Sequence, residues 1–264
     1  MGAGEHEGVR GMPAIGVWVL LLAAVTLAQD DAARQQLMPT GKLRVGLNYG
    51  NQLLVGRDRA QPQGVAIDLA RELARRLGAE VVFVGYPTPG EVTEGVAKEW
   101  DIAFVAADPD RAQEIAFTPP YLEIDATYLV PASSSVRVVG DMDRAGAKIA
   151  TGATSAYTLF LKRELKQAEL VLLANDASIE ALQSGKVDAI AGLRFALLQS
   201  ASRVPGARVL PDNFVRAQQA VAVPRANGAA LAYLSAFVED VTRSGFVASA
   251  IQKTGLVGAT AARQ

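Results

Sequence analysis

A single arginine, Arg111, stands just before a short apolar stretch in the sequence DPDRAQEIAFTPPY, residues 108–121. Its guanidinium group offers a planar fork of donors that matches a carboxylate, and it stays charged at any physiological pH. Residues 115–117 predict a buried strand, which ends at two prolines because proline fixes the backbone and removes a donor. The spacing therefore predicts an arginine at a rigid strand edge that could bind an acid. The alternative is an ordinary ion pair with one of the nearby acids, Asp108, Asp110 or Glu114.

A glycine-containing turn is the second segment with binding chemistry, and its sequence is IATGATSAY over residues 149–157. It leads into a predicted helix, whose first backbone N–H groups are free and attract anions. Thr154 and Ser155 could therefore hold a carboxylate together with Arg111. The alternative is that either hydroxyl simply caps the helix, which satisfies the free N–H groups without any ligand.

Strand-like and helix-like segments alternate after residue 40, which is typical of an α/β sheet. The strongest helical pattern runs over residues 66–77 and ends at Gly78, with apolar residues on one face and charged residues on the other. Other predicted helices lie near residues 154–165, 177–184 and 231–241, and predicted strands near 45–47, 81–85, 102–106, 148–150 and 189–191. Arg111 then follows one predicted strand, and the glycine turn follows another.

Taken in chain order, these segments resemble the family 3 extracellular solute-binding proteins, the periplasmic receptors of amino-acid ABC importers. The resemblance covers nearly all of the chain after residue 40 and includes both binding segments. It also rests on KLRVGLN (42–48), GVAIDL (64–69), WDIAFV (100–105) and GKVDAIAG (185–192). It implies a two-lobed α/β fold of the type II periplasmic-binding-protein class, in which each lobe is a sheet flanked by helices.

The same resemblance implies where the lobes and the hinge lie. Lobe one would be residues 42–128 with 222–264, and lobe two the insert 131–218. Two hinge strands, residues 128–131 and 219–224, would join the lobes, and closure around a ligand would be the signal that a transporter recognises. The alternative is that both stretches are ordinary strands of one sheet.

This chain departs from the family where the ligand would bind. Amino-acid receptors usually place an aspartate, which binds the ligand α-ammonium, at the position of Leu193. The neighbouring Arg194 could add positive charge to the cleft or point to solvent. Glu123 and Asp108 could supply an acid from a new direction, or each could be a surface residue. These departures favour an acid without a conventionally held amino group.

The first-lobe side of the expected cleft is altered as well. Asn48, Asn51 and Leu54 stand where the family commonly has an aspartate and a stacking aromatic, and Ala106 replaces a hydroxyl residue five positions before Arg111. The predicted ligand-binding residues are therefore Arg111, Thr154, Ser155, Asn48, Asn51, Ala106, Arg194 and Glu123.

Composition narrows the possible functions. The chain has 264 residues, a formal net charge of −1, no cysteine and a single histidine, His6. It lacks the basic excess that binds nucleic acid, and past residue 6 it has no imidazole or thiol for acid–base catalysis, nucleophilic catalysis or a zinc site. We therefore predict a binding protein without enzymatic activity, metal or cofactor.

An uncharged apolar run, residues 14–27, predicts the h-region of a signal peptide, since it is too short to span a bilayer comfortably. Cleavage is expected before Gln29, which makes residues 1–28 a signal peptide and the mature protein periplasmic. Residues 29–41 are polar and predicted to be loosely ordered. Translation could start at Met1 or Met12, and the run could instead be an uncleaved membrane anchor.

The residues and the resemblance together predict a periplasmic receptor that captures a small carboxylate-bearing solute, an amino acid or a related organic acid, between its lobes. Its expected partner is an inner-membrane ABC permease, and it is expected to be a monomer. One alternative is a dehydratase on the same fold that acts on a cyclic carboxylate such as prephenate, with Glu123 as acid or base. The other is a ligand sensor without transport.

Overall fold

The computed structural model describes residues 30–173 and 175–263, which form strands and helices in alternation. The strands are β1 Leu43–Asn48, β2 Val81–Tyr86, β3 Ile102–Ala106, β4 Ile115–Phe117, β5 Leu122–Val130, β6 Lys148–Thr151, β7 Glu169–Leu172, β8 Ala189–Leu193, β9 Arg208–Val209, β10 Val215–Pro224 and β11 Ala259–Ala261. The helices are α1 at 30–37, α2 Gln52–Val55, α3 Val65–Leu77, α4 Pro89–Glu94, α5 Ala156–Glu164, α6 Asn175–Gln183, α7 Arg194–Ala201, α8 Gly228–Arg243 and α9 Phe246–Thr254.

The strands form one sheet in the order β2-β1-β3-β10-β5-β8-β6-β7, with β4, β9 and β11 paired to its two central strands. On one side β1 is parallel to β2 and β3, and we call these strands the first half. On the other side β6 is parallel to β7 and β8, the second half. Parallel neighbours require crossover connections, which explains the alternation of strands and helices in the sequence.

The central strands β5 and β10 pass from one half of the sheet to the other. They pair with each other, antiparallel, over residues 122–126 and 215–219. β10 then continues along β3, and β5 continues along β8. Residues 128–130, which were predicted as part of a hinge, pair with β8 and β9. The limits of the lobes and of the hinge stay predictions.

Separate groups of buried side chains cover the two halves. The largest group contains Leu73 of α3 and Phe104 of β3, while Trp100 belongs to a smaller one beside α4. In the second half, consecutive residues of β6 point into different groups, Ile149 into one and Ala150 into the other. This alternation is the expected pattern of a strand covered on both faces. Each half therefore has a core of its own.

The predicted helix over residues 66–77 is confirmed as α3, and Gly78 ends it in the left-handed conformation with φ 64°. The predicted strands are confirmed with small differences at their ends. The sequence analysis did not identify α4, α7 and α9. Each has nine residues or fewer, and helices this short depend on tertiary packing more than on their own sequence.

The N-terminal segment differs from expectation. Residues 30–37, expected to be loosely ordered, form α1, because Ala33 and Leu37 lie one turn apart and are both buried. Gln36 accepts a hydrogen bond from the backbone N–H of Ala230 at 2.9 Å, which ties α1 to α8. The predicted signal peptide, residues 1–28, lies outside the described residues. Among the helices of the described ranges, none is long and apolar enough to cross a membrane.

Two buried residues hold β3 in place. Trp100 is fully buried, and its indole N–H donates to the Val92 carbonyl oxygen at 2.8 Å, which joins β3 to α4. Asp101 is 3% exposed and accepts from the backbone N–H of Arg44 at 2.9 Å. The same carboxylate pairs with the Arg44 guanidinium at 2.6 Å. These contacts align β1, β3 and α4, whose ends carry several of the predicted binding residues.

The glycine that precedes α3 gives a prediction about stability. Gly64 has φ 143°, a conformation nearly restricted to glycine, and a Cβ added there would lie 2.6 Å from the Leu54 carbonyl oxygen. We expect Gly64→Ala to lower the free energy of unfolding by roughly 3 kcal/mol, through backbone strain and displacement of Leu54. Urea unfolding followed by circular dichroism measures the loss.

Gly78→Ala is the matched control for this prediction. Its φ of 64° also strains an alanine, but nothing lies within 4 Å of the added Cβ. The expected loss is therefore only about 1 kcal/mol. Equal losses in the two variants would contradict the importance of the close contact at Leu54.

Candidate ligand-binding site

A cavity of about 410 Å³ lies between the two halves of the sheet. The carboxyl ends of β1 and β3 and the start of α4 form one wall, and the turn between β6 and α5, together with β8 and α7, forms the other. In α/β sheets ligands usually bind at the carboxyl ends of the strands. Larger depressions of about 950 and 810 Å³ adjoin residues 56–63, but neither contains Arg111 or the turn before α5.

Arg111 is the buried cation of this cavity. It begins a short 3-10 turn between β3 and β4, and it is 5% exposed. Its Nη1 donates to the Ala106 carbonyl oxygen at 2.6 Å, and its Nη2 donates to the Thr154 carbonyl oxygen at 2.5 Å. Because Ala106 ends β3 and Thr154 precedes α5, this side chain joins the two walls. Burial lowers the pKa of Arg111 to about 10, which leaves it charged at neutral pH.

The acids beside Arg111 are held by another cation. Asp108, whose side chain is 3% exposed, pairs with Arg163 of α5 at 2.9 Å and accepts from the backbone N–H of Asp110. Arg163 also lies 3.5 Å from the Asp110 carboxylate. Among the described residues, no carboxylate oxygen lies within 4 Å of the Arg111 guanidinium. Asp108 and Asp110 therefore pair with Arg163 and not with Arg111, which keeps donors for a ligand.

The turn of residues 152–155 forms the facing wall. Thr154 and Ser155 line the cavity, and Ser155 precedes α5 without capping it through its hydroxyl. Behind them the buried Thr158 donates to the Gly152 carbonyl oxygen at 2.7 Å and lies 2.6 Å from the Thr151 hydroxyl. Thr158 has a single hydroxyl proton, so Thr151 is the donor in the second bond. Buried hydroxyls thus fix the shape of this turn.

Asn48, Asn51 and Ala106 line the cavity from the first half of the sheet. The side-chain oxygen of Asn48 accepts from the backbone N–H of Gly50 at 2.9 Å. That of Asn51 accepts from Leu53 at 3.2 Å and caps α2. Within the described part of the chain neither side-chain NH₂ group has a hydrogen-bond acceptor. Both asparagines therefore offer donors to the cavity.

The structure does not bring Arg194 and Glu123 to the cavity. Arg194 begins α7, and its guanidinium donates to the carbonyl oxygens of residues 210–212 at 2.8 to 3.1 Å. It also lies 3.4 Å from the Asp125 carboxylate, so it binds a loop to the start of α7. Glu123 lies on β5 and is 3.7 Å from Arg216. Neither residue is among those that line the cavity.

Sequence reasoning missed several lining residues, including Thr88, Tyr157, Phe195 and Gln219. Gln219 carries the clearest signal, because it is 3% exposed and precedes the apolar run AVAVP of β10. A buried polar residue within an apolar strand is unusual and indicates a specific role. Tyr157 offers a neutral donor, since burial raises the pKa of its phenol.

The described lining of the cavity carries a positive charge and no negative one. Arg111 is the ionised side chain among its described lining residues, which include neither aspartate nor glutamate. The remaining polar groups are amides and hydroxyls, and the other side chains are apolar. Such a surface can bind an anion through charge-assisted hydrogen bonds. It offers no carboxylate for general acid–base catalysis.

Residues 43–253 match the bacterial extracellular solute-binding proteins, family 3. The chain belongs to this family. The matched range includes every predicted binding residue and most of the sheet, so the resemblance inferred from the sequence motifs is confirmed.

Solved structures confirm the predicted α/β fold of the type II periplasmic binding proteins. A mutant of ArgBP from T. maritima is similar with a TM-score of 0.69 at 20% identity, covering 84% of this chain and 99% of that one. A Streptococcus pneumoniae amino acid ABC transporter substrate-binding protein, bound to L-arginine, has a TM-score of 0.68 at 21% identity and covers 86% and 99%. At this identity the similarity shows the fold alone.

The chain is also similar to an enzyme. Cyclohexadienyl dehydratase of Pseudomonas aeruginosa is 24% identical over 174 residues, which cover 64% of this chain and 65% of the enzyme. The match therefore spans less than two thirds of that relative. An ancestral amino acid-binding protein, a precursor of cyclohexadienyl dehydratase, has a TM-score of 0.69 at 21% identity and covers 83% and 97%.

The lowered pKa of Arg111 predicts how the affinity for a carboxylate depends on pH. Below about pH 10 the free protein carries the charged guanidinium, so the affinity should stay constant from about pH 6 to about pH 9. Above about pH 10 the free protein loses this proton, whereas a bound carboxylate stabilises the charged form. The affinity should then fall by up to about tenfold per pH unit.

Titration calorimetry over this pH range, with circular dichroism as a check on folding, measures the effect. A loss of affinity between about pH 6 and pH 8 would show that a group other than Arg111 sets the charge of the site.

Proposed function

We propose that this protein is an extracytoplasmic receptor that binds a small carboxylate-bearing solute in the cavity and delivers it to an ABC permease. The observation that carries the proposal is the buried, charged Arg111, which lines the cavity and has no carboxylate partner among the described residues. Burying a cation is unfavourable unless an anion or several acceptors accompany it. A ligand carboxylate would supply that anion in the geometry that a guanidinium prefers.

Relatives support the class of solute. Proteins of this fold have been solved with L-arginine, lysine and L-glutamate. These ligands differ in the charge of their side chains, and all of them carry an α-carboxylate. We propose that this shared group is what Arg111 binds in the present chain.

Closure of the cavity would couple binding to transport. We propose that β5 and β10, which pass between the halves, act as the hinge. Arg111 contacts both walls, and the Asp108–Arg163 pair links the turn after β3 to α5. A carboxylate held by Arg111 and by the turn of residues 152–155 would stabilise the closed arrangement over an open one. A permease could then distinguish the loaded receptor from the empty one.

The proposed location is the periplasm, reached after removal of residues 1–28. The family consists of extracellular solute-binding proteins, which supports export. We propose that the exported protein acts as a monomer whose partners are the solute and the permease.

Replacement of Arg111 tests the proposed function. We expect Arg111→Ala to weaken carboxylate binding by about 3 kcal/mol, because a charged ligand group loses its partner. A thermal-shift screen of amino acids and organic acids measures this, since a ligand of the folded state raises the melting temperature. Arg75→Ala is the matched control, because the Arg75 side chain is 71% exposed on α3 and, among the described residues, its one ion pair is with Glu72. Equal ligand-induced shifts in the wild type and in Arg111→Ala would refute the proposed site.

Replacement of Arg163 tests whether this residue keeps Asp108 and Asp110 from pairing with Arg111. In Arg163→Ala the buried Asp108 would lose its ion-pair partner and turn its charge toward Arg111, in competition with a ligand. We expect about a tenfold loss of carboxylate affinity in titration calorimetry. Arg163→Lys keeps a cation beside Asp108 and should retain most of the affinity. A wild-type affinity in Arg163→Ala would contradict this role.

A dehydratase is the second candidate, because a curated relative of this chain is one. Glu123 was the predicted acid or base, yet it lies outside the cavity lining, and the described lining residues contain no carboxylate. We propose that the protein binds without turnover. Incubation with prephenate, followed by ultraviolet absorbance for an aromatic product, tests this; turnover that is lost in Arg111→Ala would establish the enzyme instead.

A further inference from the structure

Among the residues that the structure describes, the cavity lining offers no carboxylate that could neutralise a ligand ammonium. Its described lining residues contain neither aspartate nor glutamate. The acids that precede Arg111 in its loop, Asp108 and Asp110, both pair with Arg163, and within the described residues Glu114 does not lie within 4 Å of the Arg111 guanidinium. An ammonium that entered the cavity would lose its hydration beside the Arg111 cation and gain no carboxylate in return.

Several neutral acceptors of the wall already hold a donor. The carbonyl oxygens of Ala106 and Thr154 accept from Arg111. The side-chain oxygens of Asn48 and Asn51 accept from backbone N–H groups, which leaves their NH₂ groups as donors. Arg111, Asn48 and Asn51 therefore present donors, and donors match the oxygen atoms of a carboxylate, a ketone or a hydroxyl group. The lining hydroxyls and the Gln219 amide can still accept, but they carry no charge that would neutralise an ammonium.

The rest of the lining favours an apolar ligand body. Apolar side chains reach the cavity from the end of β7, from α6, from β8 and from α7; they are Leu173, Ile179, Ile190, Leu193, Phe195 and Leu197. A volume of about 410 Å³ lies toward the small end of ligand pockets, which span about 300 to 1,000 Å³. The site therefore suits a small molecule with one anionic end and an apolar remainder.

We infer that the cavity selects small monocarboxylates that carry no ammonium group, such as 2-oxo, 2-hydroxy and unsubstituted acids with an apolar body. This inference rests on the proposed function, since it names the chemical class that the receptor binds. It separates this chain from relatives solved with L-arginine, lysine or L-glutamate, to which it is only 21% identical in each comparison.

Matched ligands that differ only at the α position test the inference. The purified protein is titrated calorimetrically with L-phenylalanine, phenylpyruvate, phenyllactate and 3-phenylpropanoate. The second series is L-leucine, 4-methyl-2-oxopentanoate and 4-methylpentanoate, and L-arginine, L-lysine and L-glutamate are included. The inference requires an acid without the amino group to bind at least about tenfold more tightly than its amino acid counterpart.

Two other outcomes distinguish a failure of the inference from a failure of the proposed function. Tighter binding of any amino acid, with loss of that binding in Arg111→Ala, would overturn the inference and leave the receptor function intact. Binding of no carboxylate in either series or in the amino acid set would overturn both.

A change of charge inside the cavity tests the cause of the selectivity. Asn48→Asp keeps the oxygen that accepts from Gly50 and adds a carboxylate to the lining. We expect it to shift the ratio of affinities at least about tenfold toward the amino acid of each series. Asn227→Asp is the control, because it makes the same change of charge before α8, outside the cavity. An unchanged ratio in a folded Asn48→Asp variant would refute the missing acid as the cause.

Discussion

The guanidinium of Arg111 is charged, buried and held between two parts of the chain that are distant in sequence. Its hydrogen bonds to the carbonyl oxygens of Ala106 and Thr154 satisfy some of its donors but do not neutralise its charge. Burial makes that charge costly, as the lowered pKa of about 10 reflects. An anionic ligand would relieve this cost, and this is the basis of the proposed binding role of Arg111.

Several contacts hold Arg111 and the facing turn in position and keep the nearby acids away from Arg111. Arg163 binds Asp108 and Asp110, the acids that sequence proximity would otherwise bring to Arg111. Trp100 and Asp101 hold β3, so the turn that carries Arg111 starts from a fixed strand. On the facing wall, hydroxyl bonds between Thr151, Thr158 and Gly152 shape the turn before α5. The positive cavity is therefore a product of both halves of the sheet.

Different parts of the molecule determine the fold of this protein and the ligand that it can bind. The family match covers residues 43–253, and the same fold is found in proteins solved with L-arginine, lysine or L-glutamate and in a precursor of cyclohexadienyl dehydratase. The chemistry depends on the few side chains that line the cavity. Among the described residues these side chains include asparagine, threonine and leucine, and none is an aspartate or glutamate that could pair with an ammonium.

Local patterns were sufficient to predict the alternation of strands and helices. The family, and the choice of Arg111 as a binding residue over an ordinary ion pair, came from the resemblance of the motifs taken in chain order. Helix α3 and its end at Gly78 follow from apolar spacing and from the conformational freedom of glycine. The strand before Pro119 follows from the loss of a backbone donor. These features depend on residues close together in the chain, and their physical causes act locally.

The charge of the site depends on contacts between residues that are far apart in the sequence, which a local pattern cannot predict. Arg194 was a candidate for the cavity, with a solvent-exposed position as the alternative. It instead donates to carbonyl groups of residues 210–212, because folding brings that loop beside α7. Asp108 lies three positions from Arg111, yet it pairs with Arg163, which is 55 residues away. A charged group is free for a ligand only if no distant partner reaches it. The partners are known only once the chain has folded.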